Sequence, residues 1–409
     1  MRRQRILTRF GDQAMVSLGN FVFGLLIAHR LGPAQFGVFA LVWAIVVFAF
    51  GIQWALVTSP MQSSLPHMAQ SDRHGLCSAL VAHSAAIGAA TAVVAVLVAA
   101  GTLPGGLSAV DGILVALSIV AMVMQDCVRR WLLAVERVRW ALASDFCRHF
   151  GGALAIQFLP IDWRGALPTV MAVIGIAALV ACLPVCVDMR RARRSWAFVL
   201  HYARTHARTG RWLLPFVAVQ SAIAAAPLYV ISAVVGPAGA GGYRAAIYLM
   251  APIIVLSEAF ETFLPLRASE AVAHGGLSAL KLLLTQWTSL AIALSVAYLT
   301  AVNVAGGWLF HALFGASYAA FAPLLIPLSV AMLLQVATYM LNVYHRAVEN
   351  PRGLLIAEVA AAASLAAGYL IFPIGRIGEG AAVFAAASQA VKLAMLVYRT
   401  HGKPEQLFA

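Results

Sequence analysis

The sequence predicts an all-α integral membrane protein with about twelve transmembrane helices in two six-helix lobes. Three observations carry this: a shortage of charge, apolar runs of spanning length, and basic residues confined to alternate connections. Of 409 residues, 62% are hydrophobic and only 11% charged, and mean hydropathy is +0.88. Soluble proteins carry roughly 25% charged residues. This chain lacks the charge to coat a water-facing surface, and a lipid-facing one suits it.

A spanning helix needs about 20 apolar residues. The chain offers such runs at roughly 10–29, 36–57, 76–101, 109–131, 141–160, 166–188, 212–235, 241–263, 282–302, 320–343, 354–372 and 380–398. Turn residues separate them, among them Gly32-Pro33, Pro104-Gly105-Gly106, Gly236-Pro237, Gly315 and Asn350-Pro351. Twelve spans put both termini on one side. The basic residues say which side. In this register 22 Lys and Arg fall on the side of the termini and four (Arg30, Arg164, Arg244, Arg376) on the other, with Arg148 and Lys392 inside helices. Cytoplasmic connections collect Lys and Arg, so both termini are expected in the cytoplasm. The start, Met1-Arg2-Arg3-Gln4-Arg5, is basic like a signal peptide, but no small-residue cleavage site follows, and a retained first helix is expected.

The two halves share a turn. Gly32-Pro33-Ala34-Gln35-Phe36-Gly37-Val38-Phe39 follows the first helix, and Gly236-Pro237-Ala238-Gly239-Ala240-Gly241-Gly242-Tyr243 follows the seventh. Gly-Pro-Ala, a later Gly and a final aromatic coincide without a gap. Six helices per half give corresponding helices the same direction, so the lobes are expected to be related by a pseudo-two-fold axis along the membrane normal. The expected lobes are 1–189 and 212–409. Between them, 190–211 carries seven Arg with Trp196, Phe198, Val199, Leu200 and Tyr202. It reads as a basic amphipathic segment lying on anionic inner-leaflet lipids. The same clustering explains the net charge of +13 without nucleic acid, for which no motif is present.

No catalytic or cofactor signature appears: no Walker A sequence, no GxSxG, no HExxH, no paired CxxC. An enzyme, a cofactor and a metal site are therefore not expected. Ionisable groups inside helices are costly and become candidates by default. Asp126 lies three and four residues before Arg129 and Arg130, and pairs with them or joins an ion-coupling site. Asp145 and Arg148 have the same i,i+3 spacing. Lys392 can snorkel. Glu258 and Glu261 share a helix face with no basic residue within four positions, and suit a proton or cation site as well as plain hydration. Gln53 and Gln220 are candidate cavity groups or interhelical hydrogen bonders. Pro215, Pro227, Pro252, Pro323 and Pro327 mark helices that can bend.

From Phe10 through Gln53 the chain resembles polysaccharide flippases of the Wzx type, in the MOP superfamily with the MATE exporters and the lipid II flippase. Leu31-Gly32-Pro33-Ala34-Gln35-Phe36-Gly37-Val38-Phe39-Ala40-Leu41 carries the likeness, and Val235-Gly236-Pro237 through Tyr243 repeats it. Leu313-Phe314-Gly315 with Tyr318, and Asn342 followed by Asn350-Pro351-Arg352, are similar to the family too. The resemblance implies a MATE/MOP-like fold in a bacterial cytoplasmic (inner) membrane. It implies translocation of an undecaprenyl-diphosphate-linked oligosaccharide by alternating access, for lipopolysaccharide or exopolysaccharide assembly beside polymerase and glycosyltransferase machinery. A V-shaped cavity between the lobes would hold the headgroup. Arg groups suit a diphosphate, which makes Arg30, Arg148 and Arg244 candidate substrate-binding residues, with Gln53 and Gln220. The alternative is a MATE-like ion-coupled multidrug or cation antiporter, with Glu258, Glu261 and Asp126 as its coupling groups. A polysaccharide polymerase or ligase is a third class, and those usually carry a large periplasmic loop.

Overall fold

The structure is a computed structural model. It describes residues 2–65, 68, 70–103, 105–158, 166–185, 196–211, 213–348, 350–371 and 377–401, with side chains from Gly19 onward apart from a few positions that include Glu258 and Glu261. Among these residues all regular structure is helical. The helices are α1 (Arg2–Gln53), α2 (Ser59–Ser64), α3 (Gln70–Thr102), α4 (Ala109–Ala134), α5 (Val138–Phe146), α6 (Gly152–Gln157), α7 (Ala166–Ala181) and α8 (Trp196–Gly210). They continue as α9 (Leu213–Val235), α10 (Pro237–Leu249), α11 (Ala251–Val304), α12 (Gly306–Phe314), α13 (Leu325–Ala347), α14 (Pro351–Ile371) and α15 (Ile377–His401).

Helix α1 is two rods, because Gly32 breaks it at φ +67°, ψ 173°. Gly236, at the end of α9, has nearly the same conformation, φ 94° and ψ 172°. Only glycine enters that region at low cost. In both places Pro follows and starts the next rod, with its ring pre-set to a helical φ and no N–H to leave unpaired. The repeat seen in the residues is thus a repeat of backbone geometry.

Nine described helices are long and apolar enough to cross a membrane, and Pro237–Leu249 with Ala251–Ser257, bent by 52°, makes a tenth. The first of the nine, Gly19–Ser64, contains the Gly32 break and so holds two rods. The run from 138 to 157 is a further rod, made more polar by Arg139, Asp145 and Arg148. The chain is a multi-pass membrane protein.

Several boundaries differ from expectation. The second rod runs past 57, through a π turn at Trp54–Thr58, to Ser64. The connection expected between 263 and 282 is helical, since α11 continues through it with one break at Gly276 (φ 64°). Ala and Leu are the commonest residues of that stretch and favour helix. Residues 316–324 form a tight 3₁₀ stretch rather than the start of the tenth helix.

The chain divides into two compact units, Met1–Ala222 and Ile223–Ala409. In the first, α4 packs on both α3 and α7, and α1 packs on α3. Between helices in lipid there is no hydrophobic drive, so close approach through small residues supplies the attraction. A Cβ at Gly175 would stand 2.7 Å from Ser118 Cα, and one at Gly88 2.9 Å from Val120 Cα. An apolar cluster in this unit includes Met61, Leu76, Leu80, Trp131 and Leu132. In the second unit α13 packs on α11 and α15, and α15 packs on α14. Phe310, Phe314, Tyr318 and Phe321 form a chain of rings 5.6–6.4 Å apart. It ends at Gly242, where a Cβ would sit 2.2 Å from the Phe321 ring.

Candidate functional site

Among the described residues, a buried group of polar side chains lies in the first unit, on α4 and the rod from 138 to 157. Helix α4 starts at Ser108, whose hydroxyl accepts from Asp111 N at 3.1 Å, the usual N-cap bond. About five turns later it turns Gln125, Asp126, Arg129 and Arg130 toward its neighbours. The facing rod is interrupted by a π turn, Cys147–Gly151. A π turn inserts a residue and re-aims those around it. Here Arg148 and His149 are both buried within it.

Asp126 accepts from Arg130 Nε at 2.6 Å, the i,i+4 pair that the spacing allows. Asp145 does not pair with Arg148 as its spacing suggested. It receives Arg129 Nε from α4 and, on its other oxygen, Gln125 Nε2 at 3.2 Å. The same Nε2 lies 3.0 Å from Ser144 Oγ. Arg148 Nη1 donates instead to Gln125 Oε1 at 2.7 Å, and its guanidinium lies 5.4 Å from the Phe50 ring centre. Within this group three guanidiniums share two carboxylates. Arg148, 7% exposed, touches a neutral amide and a ring face, both favourable to a cation, and feels the charges of Asp126 and Asp145.

Gln53 approaches α4 from the other side. Its Nε2 donates to Val123 O at 2.6 Å and to Ser84 Oγ at 3.0 Å. Its Oε1 is buried without a partner, a costly state for an amide oxygen. The π turn at Trp54–Thr58 starts at the next residue.

The other expected residues lie apart from this group. Arg30 Nη2 donates to Gln157 O at 3.0 Å and to Gln157 Oε1 at 2.9 Å. Arg244 lies over the Tyr248 ring at 5.0 Å. Gln220 is exposed. The side chains of Glu258 and Glu261 lie outside the described residues. Among the described residues no three His, Cys, Asp or Glu side chains group in a way that could hold a metal ion.

The residues alone did not point to Gln125 and Ser144, nor to an ion pair in the second unit. Lys392 does not snorkel away from its helix: its Nζ pairs with Glu358 on α14, and both side chains are nearly buried. Glu358 was itself an acid inside an apolar run, and that was the available signal. The motif Asn350-Pro351-Arg352 has a local explanation. Asn350 Oδ1 accepts from Gly353 N at 3.0 Å and caps α14. Its Nδ2 lies 3.3 Å from His345 Nδ1, and His345 Nε2 donates to Leu396 O at 3.1 Å. Three helices are tied at that point.

No family model matches the chain, and no curated protein sequence matches it. Solved structures do. The lipid II flippase MurJ, in an inward closed conformation, superposes with a TM-score of 0.71 at 10% identity, over 98% of this chain and 88% of that one. An inward-facing multidrug resistance MATE family transporter of the MOP superfamily gives 0.71 at 13% identity, over 98% and 99%. The MATE transporter VcmN of Vibrio cholerae gives 0.61 at 12% identity, over 100% and 98%. Identities this low establish shared architecture rather than shared chemistry: the chain has the all-helical fold found in MOP superfamily transporters, along its whole length.

Proposed function

We propose that this protein is a transporter that moves an undecaprenyl-diphosphate-linked oligosaccharide across the bacterial cytoplasmic membrane for surface polysaccharide assembly, by alternating access. Both termini face the cytoplasm in this reading. A diphosphate cannot cross hydrocarbon unaided, and the protein must present cations to it. The observation that carries the proposal is the cationic surplus of the first unit. Arg148 is buried beside Gln125 and Phe50, while Arg129 and Arg130 hold Asp145 and Asp126. Such a group favours an anion and disfavours a drug cation. The superposition with a lipid II flippase supports the same substrate class.

In proteoliposomes carrying a fluorescent lipid-diphosphate oligosaccharide, Arg148→Gln is expected to slow translocation about tenfold or more, the cost of one charge-assisted contact. Arg148→Lys should restore part of it. Unchanged translocation in Arg148→Gln would remove the residue from the mechanism. The second reading, an ion-coupled antiporter, draws on Glu258 and Glu261, which share one face of a helix. It predicts ethidium efflux that collapses in the double Gln variant, with lipid translocation absent throughout.

A further inference from the structure

Helix α8 is too polar to span a membrane and too closely packed to be a loose tether. Val199, Tyr202, His206 and Gly210 recur at helical spacing and form one stripe. That stripe lies against α3, α2 and the π turn Trp54–Thr58. Leu200, His201, Arg204, Ala207 and Arg208 are exposed on the other side.

Four contacts seat the stripe. Val199 O accepts from His83 Nε2 on α3 at 3.0 Å; a carbonyl only accepts, so that nitrogen carries the proton. Tyr202 OH donates to Met68 Sδ at 3.6 Å. His206 is 3% exposed, its ring edge-on to Tyr202 at 5.4 Å. At Gly210 the backbones nearly touch, since a Cβ there would stand 2.2 Å from Ala55 O within the π turn.

His206 is the anomaly in this interface. Both its ring nitrogens are buried without a hydrogen-bond partner. A neutral imidazole leaves one donor and one acceptor unmet there; an imidazolium would leave two N–H groups and a full charge, at much greater cost. The π turn and α2 carry no titratable side chain. The described titratable side chains of α3 are Arg73, Cys77 and His83, and Cys77 is buried in the apolar cluster. On α8 itself His201, Arg204 and Arg208 are exposed to solvent. Among the described side chains of these elements none is a carboxylate that could welcome a proton on His206.

We propose that α8 is a latch seated on the first unit by a neutral His206, and that acid on its face of the membrane releases it.

Burial first, and the neighbouring His83 second, push His206 down to about 4. On a released helix it returns toward 6.5, the ordinary value for histidine. The seated state therefore binds the proton more weakly. Its stability is complete above pH 6.5 and falls as pH drops from 6.5 toward 4. Between pH 7.5 and 5.5 the seated-to-released ratio should fall about tenfold. The released turn is the one that follows Gln53, so the backbone beside the buried polar group loses its clamp. This inference does not depend on the identity of the substrate.

Electron–electron distances between spin labels on Ala207→Cys and Leu97→Cys, in full-length protein lacking its native cysteines and held in nanodiscs, test it. One narrow distance is expected at pH 7.5, with a second, broader population growing in at pH 5.5. His206→Phe keeps the ring and its edge contact but cannot take a proton, and His206→Leu removes both. The acid-induced population should vanish in each. Gly210→Val should show the released distance at both pH values, which calibrates the measurement. An unchanged distance at pH 5.5 with His206 present would overturn the proposal. So would the same acid response in both His206 variants.

Discussion

Arg148 has an i,i+3 carboxylate on its own rod and feels its charge, but its hydrogen bond goes to Gln125. The π turn at Cys147–Gly151 swings the guanidinium toward Gln125 and Phe50, and Arg129 takes Asp145 from across the helix pair. Spacing along one helix cannot foresee a neighbour's claim on the same partner. Asp126 and Arg130 pair as their spacing allows, although Arg148 also feels the Asp126 carboxylate. Glu358 and Lys392 make a sharper case, since both are nearly buried and each satisfies the other. Removing one partner of such a pair strands a charge, at a cost of about 3–5 kcal/mol, whereas replacing both with apolar groups is often nearly neutral. Lys392→Met is therefore expected to lower the thermal unfolding midpoint clearly. Glu358→Leu combined with Lys392→Met should recover most of the loss. Equal losses in the single and double variants would show that the pair is not coupled.

At the scale of elements, two devices recur. One is the Gly-Pro break, which ends one rod and starts the next without a loop. Gly236→Ala places a Cβ at φ 94°, a strain of about 1–3 kcal/mol. It should lower the unfolding temperature even though the space around Gly236 is open. An unaltered midpoint would mean that the turn adopts another conformation. The other device is the small-residue seam. Val at Gly175 must displace Ser118, whose Cα lies 2.7 Å from the added Cβ, so Gly175→Val should cost about 1–3 kcal/mol through separation of α4 and α7. Gly236 is legible as a turn from the proline after it and from its match with Gly32. Gly175 stands out in the sequence only as a glycine, and that it serves contact is visible only when the partner helix is in place.

For the molecule as a whole, the charge asymmetry of the connections makes a direct forecast. Reporter fusions at Leu200 and Glu349 should read as cytoplasmic, and fusions at Gly106 and Gly239 as periplasmic. A periplasmic signal at Leu200 would break the twelve-span arrangement and put α8 on the opposite face. Acid would then have to be applied to that face to release the latch. In cells, loss of the protein is expected to leave a lipid-linked oligosaccharide on the cytoplasmic leaflet, with surface polysaccharide reduced. Intact surface polysaccharide with increased drug sensitivity would favour the antiporter reading.

Apolar runs long enough to span, broken by Gly and Pro and flanked by Arg, determined by themselves that this chain crosses the membrane many times as helices. A bilayer leaves the backbone few other options. The matched turns at Gly32 and Gly236 were equally plain, because their conformation is local and only glycine adopts it cheaply. Tertiary structure alone decided which polar groups meet. Gln53 finds Ser84 and Val123, Arg148 finds Gln125, and Lys392 finds Glu358 across distances in sequence that no local pattern encodes. The length of α11 and the two π turns also had to be observed, since one inserted residue rotates a helix face without altering its hydrophobicity. The seat of His206 belongs with these: a histidine on a basic amphipathic helix reads as solvent-facing until the helix is docked.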